Sequence, residues 1–121
     1  EVDKIIALFP ESIEYNIVAA ELAMKSKNED LAVDYYSKVM KLDSLNIYAI
    51  TNLTDYYRGR NEVEKSFYYL NKSFGSQEIE YDKKMAILSY YLSDEKFFNS
   101  HPDLLEALIV TMLDNYEGKK I

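Results

Sequence analysis

Apolar residues in this chain recur three and four positions apart, the spacing that lines one face of an α-helix. Ile13, Ile17, Ala20 and Met24 form one stripe, and Leu31, Tyr35, Val39 and Leu42 a second. Val63, Phe67, Leu70 and Phe74 form a third. No stretch sustains the alternation of a strand, and no Asn-Gly or Asp-Gly pair signals a hairpin. Helix breakers are few: three glycines and two prolines occur, each at the edge of a periodic segment. Pro10 follows an apolar run that starts at Ile5, and Pro102 opens another, where a first-turn proline gives up no intrahelical bond. Gly59, Gly75 and Gly118 each follow an apolar segment, where a left-handed cap suits a residue without a Cβ. The pattern predicts helices over 1–9, 11–26, 29–42, 46–58, 62–74, 78–92 and 103–117, with a short turn of helix at 94–99. Asn28, Asn46 and Asn61 stand where N-caps are expected. Short connections between such helices make antiparallel neighbours, and hence a row of helical hairpins.

Composition narrows the function classes. With 121 residues, 48% hydrophobic and 29% charged, the chain is one domain's worth of material and too apolar for disorder. The absence of cysteine excludes disulfide frameworks, zinc knuckles, iron–sulfur ligation and cysteine nucleophiles together. The net charge of −7, with no clustering of basic residues, makes nucleic acid an unfavourable partner. The longest apolar run is too short to span a bilayer and no basic-then-apolar leader precedes it, so direct membrane insertion is not expected. The chain opens on Glu1-Val2-Asp3-Lys4, as a piece cut from something longer would. Lysine outnumbers arginine 12 to 2, which suggests an AT-rich bacterial source, and both cytoplasm and cell envelope fit.

Sliding the chain by 34 residues lays helix on helix and break on break. Pro10 falls on Ser44 and then Glu78; Ala20 falls on Thr54, and Ala32 on Ser66. Ile13 and Ile47, Tyr35 and Tyr69, and Lys38 and Lys72 are identities. On residues 15–23 with 30–43, and 52–57 with 64–74, the sequence resembles the tetratricopeptide repeat (TPR) family, whose unit is a helix pair of about 34 residues. In that pattern Leu53 and Tyr57 are the leucine and tyrosine of the first helix. Ala32 and Ser66 are the small residue of the second, and Tyr36 and Leu70 the large one after it. The resemblance implies an all-α, right-handed α-α superhelix of antiparallel helix pairs. Residues 1–10 become the tail of a preceding repeat, 13–46 and 47–80 two repeats, and 81–117 a degenerate third repeat or cap. Departures are evident: Asn16 and Ile50 stand for tryptophan, Ala20 and Thr54 for glycine, Ser44 and Glu78 for the closing proline. Ile87 and Tyr91 keep the leucine and tyrosine positions, but 93–102 is longer than a turn. The last helix is apolar on several faces, through Leu104, Leu105, Leu108, Ile109, Val110, Met112 and Leu113.

In the TPR family the first helix of each pair lines a concave groove. The resemblance therefore implies a lining of Glu14, Ile17, Val18, Glu21, Met24 and Lys25 from the first repeat. Tyr48, Thr51, Asn52, Asp55 and Arg58 follow from the second, and Asp82, Met85, Ala86, Ser89 and Leu92 from the third. Such a mixture suits a peptide or partner helix carrying some positive charge, with hydrogen bonds from Asn52. A solvated face without a ligand is the plain alternative. The carboxylate clamp of chaperone-tail binders is not reproduced: its positions read Ile17, Glu21, Asn52, Asp82 and Ala86, of which only Asn52 agrees. Twelve tyrosines include four adjacent pairs. Neighbours on a helix point about 100° apart, so one ring of each pair can enter the core while the other faces outward.

Little in the sequence suggests chemistry. His101 is the sole histidine and leads into the last helix. No Gly-x-Ser-x-Gly elbow and no phosphate-cradling glycine loop occurs. Glu29-Asp30 and the acidic residues from Glu78 to Asp82 suit helix starts, and Asp94 and Glu95 lack the calcium-loop pattern. The expectation is a non-catalytic protein–protein interaction module with no cofactor and no metal. The alternative is the structural end of a longer solenoid, docking on a neighbouring domain or a second copy through the apolar last helix.

Overall fold

The computed structural model describes residues 7–117, which contain helices and no strand. Seven helices are delimited among them: α1 (Ile13–Lys25), α2 (Glu29–Leu42), α3 (Ile47–Gly59), α4 (Val63–Phe74), α5 (Tyr81–Leu92), α6 (Glu95–Ser100) and α7 (Pro102–Glu117). Ala7 and Leu8 are also helical, while the rest of the helix expected over 1–9 lies largely outside the described residues. The turn expected at 94–99 is a helix in its own right, and Pro102 opens α7 as expected.

Side chains of Ser12, Asn28, Asn46 and Asp94 cap their helices, each accepting the N–H of the residue three further on. Asn61 does not cap. It takes φ 64° in the turn, leaving the N-cap of α4 to Glu62, whose side chain makes no capping bond. The glycines do not supply left-handed caps either. Gly59 is the last residue of α3, Gly75 has φ −83°, and Gly118 lies outside the described residues. The left-handed positions are Lys27 (φ 61°) and Asn61. Each bends the chain so that the next N–H reaches back five residues, Asn28 to the Ala23 carbonyl and Glu62 to that of Tyr57, at 2.8 and 2.9 Å. After α4 the chain leaves without that reversal, so Gly75 has no need of it.

These landmarks keep a fixed interval. N-caps at Ser12, Asn46 and Glu80 are 34 apart, as are those at Asn28 and Glu62, and so are the two left-handed residues. The interval breaks at Asp94, two residues early, and a six-residue helix follows in place of a full one.

Two clusters form the core. In the first, Ala20 and Ala23 of α1, Ala32, Tyr36 and Val39 of α2, and Ala49 and Leu53 of α3 are buried together. Alanine at these crossings lets the helices approach closely. In the second, Phe67, Leu70 and Phe74 of α4 meet Leu88 and Tyr91 of α5 and Leu105, Leu108 and Met112 of α7. The apolar surplus of the last helix is thereby explained: α7 packs along α4 and α5 at once and also touches α6. Neighbour relations change between the two halves. α2 packs along α3, whereas α4 packs along α7, and α5 has no comparable backbone contact with α4.

Candidate interaction surface

The residues implied as a groove lining occupy matched positions on α1, α3 and α5. Glu14, Tyr48 and Asp82 share one register position; Ile17, Thr51 and Met85 the next; Glu21, Asp55 and Ser89 another. The remaining sets are Val18, Asn52 and Ala86, and Met24, Arg58 and Leu92; Lys25 is exposed beside Met24. All are exposed except Ile17 and Asn52, which are half-buried. Apolar side chains stand open to solvent here, Tyr48 by 61% and Val18 by 48%. Ile17 also leans on the first core cluster. The Asn52 amide is partly engaged already, since Nδ2 donates to the Tyr48 carbonyl at 2.8 Å within its own helix.

Between α3 and α5 the surface opens into a cleft of about 260 Å³. Thr51, Asp55 and Arg58 line its α3 wall, and Leu70 and Ser73 of α4 form its base. The α5 wall is made by Lys83 and Ile87, with Ile79 at the approach. Asp82, Met85 and Ser89 stand on other sides of α5 and do not line this cleft. Sequence reasoning missed Lys83 and Ile87 because the register assigns them to core, where Ala49 and Leu53 sit one repeat earlier. A lysine at a core position was the available signal. Arg58 donates to the Asp55 carboxylate on its own helix. Tyr91 of α5 first, and Asp55 and Tyr90 after it, hold the Arg58 pKa above the ordinary value against the effect of burial.

The chain is 34% identical to a TPR repeat-containing protein of Methanocaldococcus jannaschii over 71 residues. The match covers 59% of this chain and 12% of that protein, so the chain spans about an eighth of its relative's length. No family model matches the chain, and no solved structure does. The likeness agrees with an all-helical chain whose caps recur every 34 residues.

Three of the four tyrosine pairs divide as their helical spacing predicts, while Tyr56 and Tyr57 are both half-buried. Tyr36 and Tyr91 are buried while Tyr35 is half-buried and Tyr90 exposed; Tyr69 stacks on Tyr57 at 5.8 Å while Tyr68 faces out. Burial, with the charge of Glu21 behind it, pushes the Tyr36 hydroxyl pKa up; burial does the same at Tyr69, with Tyr57 contributing. Tyr56 donates to the Asp30 carboxylate at 3.2 Å, tying α3 to the start of α2. His101 shares a surface cleft with Asp94. The Asp94 carboxylate, however, caps α6 through the Phe97 N–H at 3.1 Å, and the His101 ring lies against Phe97 at 4.9 Å. Among the described residues no group of three or more His, Asp or Glu could hold a metal ion, and no helix is long and apolar enough to cross a membrane.

Proposed function

We propose that this chain is a non-catalytic interaction module that receives a peptide or helix of a partner protein along the outer faces of α1, α3 and α5. One observation carries the reading: matched positions on three successive first helices stay exposed while mixing apolar and charged side chains. Covered by a partner helix, Val18, Met24, Tyr48 and Met85 would lose their contact with water, and each buried methylene contributes about 0.8 kcal/mol. Glu14, Glu21 and Asp82 favour a partner with basic residues beside its apolar anchors. The likeness to a TPR repeat-containing protein supports a protein partner rather than a small substrate.

The test is selection from a displayed peptide library followed by titration of the winners. Val18→Asp and Tyr48→Ala should each weaken selected peptides roughly tenfold, the loss of about 1.4 kcal/mol. Peptides indifferent to both changes would overturn the reading. The docking alternative rests on α7. Leu105, Leu108 and Met112 are buried within the chain, and among the described residues Val110 and Leu113 are its large apolar side chains left exposed.

A further inference from the structure

The register that relates the two helix pairs also relates their junctions, and the second junction is not built like the first. Between the first pair and α3, Ala20, Tyr36, Val39, Ala49 and Leu53 close into core, none more than 3% exposed. One interval later the same positions hold Thr54, Leu70, Ser73, Lys83 and Ile87, and these border the 260 Å³ cleft. A tyrosine has become a leucine, a valine a serine, and an alanine a lysine. Two losses of volume and one gained charge leave a close-packed junction with neither the atoms to fill it nor the polarity to seal it. The polar residues that finish a helical repeat belong on the outer face of its last helix, not in the junction beneath. An end cap therefore does not account for them.

We propose that this opened junction is a binding cleft for a partner's apolar side chain flanked by a single carboxylate. Leu70, Ile79 and Ile87 supply the apolar contact. Among the described residues no carboxylate lies within ion-pair distance of Lys83 Nζ, while Arg58 is already held by Asp55. The cleft therefore draws one anionic group, at Lys83. Glu78 and Glu80 flank the outer approach beside that lysine and repel an anion there, so the attraction is confined to direct contact with Lys83 Nζ. The hydroxyls of Thr54 and Ser73 donate to the Ile50 and Leu70 carbonyls, at 2.8 and 2.6 Å, and so turn only lone pairs toward an occupant. They suit a backbone N–H. The volume admits one or two side chains, which fits a segment of a protein better than a bulky ligand. The inference rests on the interaction reading above only in taking the occupant from a protein.

The experiment is an NMR titration of the ¹⁵N-labelled chain with three capped hexapeptides, carrying Leu-Glu, Leu-Gln or Leu-Lys at their centre. The Leu-Glu peptide should shift the amides of Thr54, Lys83 and Ile87 and bind roughly tenfold more tightly than the Leu-Gln peptide, as one charge-assisted contact implies. Lys83→Gln, checked for fold by circular dichroism, should erase that preference. A second variant transplants the first junction, combining Thr54→Ala, Leu70→Tyr, Ser73→Val and Lys83→Ala; it should lose the binding and melt at a higher temperature. Equal affinity for the three peptides, or no shift at these amides, would overturn the cleft whether or not the fourfold variant folds. Shifts confined to the amides of Val18 and Tyr48 would leave the outer-face reading standing without it, and shifts confined to the cleft would do the reverse.

Discussion

Single residues set the turns of this molecule. Lys27 and Asn61 both take the left-handed conformation that lets a helix reverse into its partner, yet they bear it unequally. Asparagine tolerates that region and lysine does not. Lys27→Gly should therefore stabilise the chain by about 0.5–1 kcal/mol, and Asn61→Gly by less. Paired thermal melts would show the order; a loss of stability in Lys27→Gly would contradict it. Asn16 illustrates how a polar residue can serve inside a helix pair. Fully buried, it donates from Nδ2 to the Ser12 carbonyl at 2.7 Å and the Pro10 carbonyl at 3.2 Å, pinning the entry turn to α1.

At the scale of elements, what repeats is the punctuation. Caps at Ser12, Asn46 and Glu80 differ in chemistry but not in interval, and only the first two make the side-chain bond. Asn46→Ala should accordingly cost about 1 kcal/mol, read as a lowered midpoint in urea, whereas Glu80→Ala should leave that midpoint nearly unmoved. Asparagine before a periodic run makes the starts of α2 and α3 legible from sequence, whereas α1, expected from residue 11, begins at Ile13 behind the Ser12 cap. The start of α4 was read one residue early, because Asn61 has the composition of a cap and the geometry of a turn. The helix periodicity itself was legible throughout, since 3.6 residues per turn writes burial directly into the order of side chains.

For the whole molecule, the two core clusters divide the labour of stability. Leu108 is fully buried in the second, so Leu108→Ala should cost about 3 kcal/mol, and hydrogen exchange would show where. Amides of α5 and α7 should lose most of their protection while those of α1 and α2, which belong to the first cluster, keep theirs; uniform loss would mean one indivisible core. The residues that the TPR resemblance implies as a lining lie on α1, α3 and α5, where all but Ile17 and Asn52 are exposed. The cleft was not legible in the sequence. Lys83 and Ile87 occupy core positions in that interval, and periodicity registers which face of a helix a residue takes, not whether the facing helix comes close enough to cover it. In that half of the molecule α4 lies against α7, a contact between segments distant in the chain. Helix identity and outward faces are local properties, determined by the order of residues; the exact boundaries, which helices touch, and where a gap remains between them were decided only when the whole chain packed.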